Sequence, residues 1–369
     1  MALVKPEVAK FARIKVIGLG GGGCNALNSM IGTQNIQGVE FVGINTDAQA
    51  LLTSYATTKL QIGDKITRGL GVGGNPDLGR QAAEESAEQI SALLSDSDMV
   101  FITCGMGGGT GTGSSAVIAE IAKKLGILTV AAVTKPFLFE GTRRMMTAEE
   151  GIVNLKEKVD TLIVIPNQRL LEVIDKKMTL LEAFKVADSV LGQGVQGISD
   201  LIVLPGLINV DFADVKTIMT QAGSALMGIG IGSGENRAVA AAKSAVASPL
   251  LEVSIDGAKG ILFNITGGAD LAMSEVDEAA QIITASSDAD ANIIFGATID
   301  ESLVDMVKIT VIAAGFDEVR ARMRDYVAPE KVEVPEEVAA EAPQVEELPE
   351  TPQDSEDAYE VPTFLRQSR

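Results

Sequence analysis

From Arg13 to Leu19 the chain reads RIKVIGL, a mostly apolar run of strand length that leads into a glycine cluster, Gly20–Gly23. Runs of the same kind recur at Val39–Ile44, Met99–Thr103, Ile127–Val133 and Thr161–Ile165. Helical patterns lie between them, from about Asn25, from Leu78 to Leu94 and from Ser114 to Leu125. Buried strands alternating with helices of about 10–15 residues predict a doubly wound α/β domain on a parallel sheet. Such sheets take ligands at the carboxyl ends of their strands. Three glycine stretches, Gly18–Gly23, Gly69–Pro76 and Gly105–Gly113, are expected at those ends.

A longer pattern follows. Leu180, Phe184, Ala187, Leu191, Val195, Ile198 and Ile202 recur at three- and four-residue steps, which predicts one long helix over Leu180–Leu201. Leu201–Pro205 reads as a strand entering a second, smaller α/β or α+β domain. There, strand patterns at Leu226–Ile231, Gly260–Thr266, Asn292–Thr298 and Met306–Ala313 are separated by helical ones at Asp214–Gln221, Asn236–Ala247 and Ser274–Ala285. The pattern ends near Tyr326. From Glu330 to Glu360 there are twelve acidic residues, one lysine and few large apolar side chains. Such a stretch cannot bury enough surface to offset chain entropy and is expected to be a disordered linker. The last residues, YEVPTFLRQSR, turn apolar and basic again, as a docking peptide on an acidic leash would, or as a frayed end would.

Charge and composition narrow the chemistry. Thirty basic against fifty acidic residues leave a net charge of −20, which argues against nucleic acid or an anionic membrane face as the main partner. The chain has no histidine, so histidine triads, imidazole bases and histidine–metal sites are excluded. Two cysteines, Cys24 and Cys104, make neither a disulfide framework nor a zinc ribbon and fit a reducing cytosol. No apolar run reaches the ~18–20 residues of a bilayer span, and the first ten residues lack a signal-peptide core. A cytoplasmic protein without direct membrane insertion is expected.

The strongest chemical signal is GMGGGTGTG at Gly105–Gly113, between a strand and a helix. Glycines permit positive φ and close approach to an anion, and a helix start offers free amides to phosphate. Thr110 and Thr112 can add hydroxyl donors. The first cluster contains G-x-G-x-x-G, which suggests an NAD-binding oxidoreductase. That fold wants an acid at the end of the second strand, where Asn45 stands, with Asp47 beyond it. No G-x-x-x-x-G-K-[ST] is present, so a phosphate site here must use backbone amides, helix dipoles and a bound cation.

GGGTGTG after a strand, GLGGGG after the first strand and NVDFADV at Asn209–Val215 together resemble the tubulin/FtsZ GTPase family. Residues 12–318 resemble its bacterial cell-division branch, and the acidic linker with its terminal VPTFLR resembles that branch's tail. The resemblance implies a flexible start at 1–11, a GTP-binding domain at 12–179, a central helix at 180–204 and a C-terminal activation domain at 205–318. A disordered acidic linker at 319–357 and a docking peptide at 358–369 complete the chain.

The resemblance also implies roles. Gly22, Gly23, Cys24, Asn25 and Ala26 would line phosphates and sugar. Gly109, Thr110 and Gly111 would hold the phosphates, and the loop from Gly71 to Asn75 would approach the γ-phosphate. Glu140 and Arg144 would contact ribose and phosphate, although their four-residue spacing equally suits a surface ion pair. Phe184, otherwise a core residue, would stack on guanine. Asp188, one turn on, would accept from guanine N1–H and the 2-amino group, donors that adenine lacks. Asn25 and Asn167 would add amide contacts.

Asp211 and Asp214 read locally as a helix cap and a first-turn acid. In the family they would act in trans, with Asn209, on water at the next subunit's GTP. Mg2+ is implied by the triphosphate, with Asp47 the candidate ligand. Cys24 reads as a packing residue. The implied partners are a homopolymer and, through Val361, Pro362, Phe364, Leu365 and Arg366, membrane-tether and division proteins at a midcell ring. Plasmid-partition or shape-related relatives, and a scaffold that binds GTP without hydrolysing it, are the neighbouring alternatives.

Overall fold

The computed structural model describes residues 12–34, 36–173, 178–203, 208, 210–248, 255, 257–288, 290–300 and 303–316. The linker, the terminal peptide and Asn209 lie outside the described residues.

The chain opens with β1 (Ile14–Leu19), α1 (Gly20–Ser29), β2 (Val39–Asn45), α2 (Ala48–Leu52), β3 (Thr58–Gln61) and α3 (Asp64–Thr67). It continues through α4 (Pro76–Glu85), α5 (Ala87–Leu94), β4 (Met99–Gly105), α6 (Thr110–Lys124), β5 (Leu128–Lys135), α7 (Thr142–Lys156), β6 (Thr161–Pro166) and α8 (Asn167–Val173). The long helix is α9 (Leu180–Val203), followed by α10 (Phe212–Met219), β7 (Gly223–Ser233) and α11 (Arg237–Val246). The rest is β8 (Gly260–Gly267), α12 (Met273–Ala285), β9 (Asn292–Ile299) and β10 (Met306–Ala314).

The strands form one sheet in the order β3-β2-β1-β4-β5-β6-β7-β10-β8-β9. The first six are parallel and doubly wound, and β1, β4, β5 and β6 are buried on both faces, as their largely apolar runs require. β7 joins β6 through only three residue pairs, and β10 runs antiparallel between β7 and β8. The C-terminal strands therefore continue the sheet, while with α11 and α12 they bury a second core of their own, around Ala241, Ile261, Phe263, Val307 and Ile309, as the smaller α/β part that the sequence predicts.

Several boundaries differ from expectation, each for a local reason. α1 begins at Gly20 and α6 at Thr110, inside the glycine stretches and four or five residues early. Without Cβ atoms the chain can coil while touching its neighbours. The helix expected over Leu78–Leu94 breaks at Ser86, whose Oγ accepts the Gly63 amide at 3.1 Å. Of the strand expected at Leu201–Pro205, the described residues Leu201, Ile202 and Val203 are instead the last turn of α9. The Gly69–Pro76 loop follows α3, not a strand. It reaches the carboxyl edge because Gly69 accepts the Ala48 amide at 3.2 Å and Leu70 bridges to Asp47, just past β2.

α9 crosses the parallel sheet from edge to edge. Near its start, Phe184 meets Phe137, two residues past the carboxyl end of β5. At its end, Val203 packs on Gly38, just before the amino end of β2. Its 24 residues span roughly 36 Å.

Candidate nucleotide site

Three glycine segments converge where β1 and β4 end. At Gly20, with φ +67°, a Cβ would sit 3.0 Å from the Gly111 amide nitrogen, so the starts of α1 and α6 touch. A Cβ at Gly22 would lie 3.3 Å from Gly105 N, and one at Gly109 would lie 2.8 Å from Asn75 N. Gly107, at φ +91°, leaves room for the Arg144 carbonyl at the start of α7. Added Cβ atoms at Gly21, Gly73, Gly74 and Gly108 would meet nothing within 4 Å. These four line the open side of the cradle.

Two helix starts face this cradle. Neither α1 nor α6 has a side-chain cap bond or an acidic residue in its first turn, so their amide ends keep their positive partial charge. α10 is the opposite case: Asp211 caps it, Oδ1 accepting the Ala213 amide at 3.4 Å, and Asp214 lies in its first turn. The local reading of both carboxylates thus appears in the structure. The threonine hydroxyls are engaged within the protein. Thr112 Oγ1 accepts the Gly107 amide at 2.9 Å, and Thr110 Oγ1 shares a 2.7 Å hydrogen bond with Thr46.

A second group of residues gathers along the same edge. Asn167 begins α8, directly after β6. It is 4% exposed and its Oδ1 has no hydrogen-bond partner. A buried amide oxygen without a donor is uncommon and suits a ligand N–H or O–H. Phe184 is 37% exposed, not a core side chain. Its ring stands edge-on to Phe137 at 5.3 Å, and Phe137 stacks on Phe139 at 5.0 Å. Burial pushes the Asp188 carboxyl up to about 7.

Glu140 and Arg144 form the ion pair that their spacing suggests, at 2.9 Å, and Glu140 Oε1 also accepts the Phe137 amide at 2.9 Å. Gly71 has φ +76° and Asn75 caps α4. Cys24 is buried, and desolvation lifts its thiol to about 11, as for a packing residue. Gly23 and Ala26 are buried, while Gly22 and Asn25 are exposed.

Asp47 Oδ1 caps α2, accepting from Gln49 and Ala50. Among the described residues no group of three or more Asp, Glu, Cys or His could hold a metal ion. No helix among them is long and apolar enough to cross a membrane.

Asp211 and Asp214 lie apart from this edge. The Ile208 carbonyl accepts the Ala297 amide at 3.4 Å, and Gly296 gives room to Leu201, near the end of α9. Asp211 is three residues beyond Ile208 and so within ~10 Å of it. Phe184 is roughly 26 Å from Leu201 along the helix. At its other end α10 is held by the Thr161 hydroxyl, which donates to the Met219 carbonyl at 2.6 Å at the amino end of β6.

Residues 13–175 match the model of the tubulin/FtsZ family GTPase domain, and residues 223–317 match the model of the FtsZ family C-terminal domain. The structure of an FtsZ dimer from M. jannaschii superposes with a TM-score of 0.79 at 52% identity, covering 82% of this chain and 88% of that one. The chain belongs to the FtsZ family. A tryptophan-to-tyrosine mutant of M. jannaschii FtsZ agrees, with 51% identity, TM-score 0.80 and coverage of 83% and 92%. CetZ2 from Haloferax volcanii, solved as a GTPγS-bound protofilament, shares the fold at 17% identity and TM-score 0.71, covering 85% and 97%.

Membership makes the chain a GTPase that binds guanine nucleotide. It leaves no part for the NAD-oxidoreductase alternative. Phe137 and Phe139 join the site beyond the residues that the motifs point to, and the sequence does hold a signal for them: PFLFE follows a strand, at the edge where ligands bind.

Proposed function

We propose that this FtsZ-family GTPase assembles head-to-tail and hydrolyses GTP at the junction between subunits, building a cytokinetic ring. One observation carries the reading. The glycine cradle and the Asp211–Asp214 segment belong to opposite ends of α9, so one molecule cannot bring them together. A head-to-tail neighbour can, and such a heterologous contact propagates as a filament. The relatives solved as a dimer and as a protofilament support self-association.

The residues then have complementary tasks. Gly22, Gly23, Gly109, Thr110 and Gly111 hold phosphates through the backbone, with the loop from Gly71 nearby. Cys24, Asn25 and Ala26 back that contact, and Glu140 and Arg144 reach ribose and phosphate. Phe184 stacks on guanine, Asp188 accepts its N1–H and 2-amino donors, and Asn167 offers its unpartnered oxygen. Asp211 and Asp214, supported by Asn209, orient a water molecule and take its proton. The water–phosphorus bond forms as the bond to the β–γ bridging oxygen breaks, giving GDP and phosphate.

A phosphate cradle without a P-loop lysine suits Mg2+, which keeps several waters and takes phosphate oxygens with one or two carboxylates. Asp47 is the carboxylate at hand, and the ion would neutralise charge on the triphosphate. The terminal Val361, Pro362, Phe364, Leu365 and Arg366 form a docking peptide for a membrane-tether protein. Removing 361–369 is expected to spare GTP turnover and abolish tether binding, measured by co-sedimentation.

The deciding experiment measures GTP turnover per subunit against protein concentration, with magnesium, beside light scattering. Turnover and scattering rising together above a threshold support a shared site. Turnover per subunit independent of concentration, without scattering, would overturn it.

A further inference from the structure

The two helices that reach the nucleotide site, α1 at the phosphates and α9 at the base, are clipped together by Gln34. α1 runs without a break into a π-helical turn, Met30–Gln34. At its end Gln34 Nε2 donates to the Ser189 carbonyl at 2.7 Å and lies 3.3 Å from Ser189 Oγ. Ser189 follows Asp188 directly. Ser189 Oγ also lies 3.4 Å from Gln193 Nε2, so this turn of α9 is bonded on two sides.

The fit is steric as well. Gly192, one turn along α9, leaves space for the Gln34 amide: a Cβ there would overlap Oε1 and stand 2.5 Å from Cδ. Gln34 Oε1 is buried without a partner. The amide is therefore held by its donor side alone, against a gap kept open by glycine. π turns of this kind are frequent at functional sites.

We propose that Gln34 is a positioning residue for guanine recognition, holding the α9 turn that carries Asp188 at a fixed distance from the phosphate end of α1. The inference rests on the reading that Phe184 and Asp188 face the base. Its consequence is selective. Phosphate contacts are made by α1, α6 and their loops and do not depend on the clip. The contact of one carboxylate with two donors on the base does depend on it, because a misplacement of about 1 Å unpairs it.

The test is equilibrium binding of GDP and IDP to the full chain below its assembly threshold. IDP lacks the 2-amino donor, so the GDP:IDP affinity ratio reports the second hydrogen bond. Gln34→Met keeps length and removes the donor. It should weaken GDP about fivefold, as for one lost hydrogen bond, and narrow the ratio. A purely structural role would weaken both ligands equally and leave the ratio unchanged, which overturns the proposal.

Gly192→Ala should weaken GDP further, and adding Gln34→Ala should return the affinity to that of Gln34→Ala alone. A Gly192→Ala loss that Gln34→Ala does not relieve also overturns it, and circular dichroism identifies any variant that fails to fold. Asp188→Asn is the control for the base site. A ratio unmoved by Asp188→Asn overturns the base reading and this inference with it. A ratio moved by Asp188→Asn but not by Gln34→Met overturns this inference alone.

Discussion

The Ala297 amide donates to the Ile208 carbonyl at 3.4 Å, pinning the start of the segment that carries Asp211 beside the last turns of α9. With Met219 held by Thr161, both ends of that segment are fixed away from the molecule's own glycine cradle. Exposed carboxylates so placed serve their own chain only as a helix cap and a first-turn acid.

Substituting Asp211 or Asp214 by Ala is expected to lower GTP turnover at least ~100-fold, the scale of a lost general base. GDP affinity should change less than about twofold, because neither residue touches the cradle of its own chain. Steady-state turnover and equilibrium titration together check this. A parallel fall in affinity would contradict the assignment in trans.

Mixing separates the two halves of the site. Asp211→Ala keeps an intact nucleotide side, and Asp188→Asn keeps intact carboxylates. Alone, each is expected to turn over slowly. Mixed in equal amounts above the assembly threshold, about one junction in four pairs the two intact halves. Turnover should rise well above the sum of the separate rates. Simple additivity would show that each subunit hydrolyses by itself.

Burial raises the Asp188 carboxyl to about 7, and the sign of its pH dependence follows. Guanine needs the carboxylate, so GDP affinity should fall as pH drops below 7, by up to tenfold per unit. For the nucleotide-free fold the sign reverses. A carboxyl raised above its unfolded value costs nothing when both states are protonated, below about pH 4. The cost grows between about pH 4 and 7 and is full above that. Asp188→Asn should therefore raise the thermal midpoint more at about pH 8 than at about pH 5.5. Asp200, lifted to about 6 by burial near Lys308, carries the same sign but is common to both proteins and cancels in the comparison. Calorimetry at the two pH values checks it.

The sheet is legible in the sequence because β1, β4, β5 and β6 are mostly apolar, with few polar interruptions, as two-sided burial demands. β3 is not, because its four residues include Lys59 and Gln61 at an edge, where no apolar run is required. The stripe on α9 reads as one core face. Ala187, Leu191, Val195 and Ile198 are buried, but Leu180 and Phe184 stay exposed, since periodicity cannot tell a core from a ligand edge. In the site, glycine spacing announces the phosphate cradle. The resemblance points to Asn167, but the Gln34–Gly192 fit leaves no such mark, because it joins residues far apart in sequence that only the fold brings together.

The glycines of α1 separate folding from binding. A Cβ at Gly23 would sit 2.5 Å from the Thr103 carbonyl and 2.9 Å from Gly18 C, both backbone atoms that cannot turn aside. Gly23→Ala must therefore push α1 off β4, at a cost of about 1–3 kcal/mol. A Cβ at Gly21 would meet nothing within 4 Å, and Gly21 lies in the first turn of the helix, where Ala is the better helix former. Gly21→Ala should leave stability unchanged or raised by up to about 1 kcal/mol. Its methyl group would nevertheless stand on the open side of the cradle, against an approaching phosphate, and GDP affinity should fall about tenfold or more. Urea unfolding without nucleotide and GDP titration measure the two effects independently. If Gly21→Ala binds GDP as wild type does, the phosphates do not lie over the start of α1, and the contact assigned to Gly22 and Gly23 fails with it.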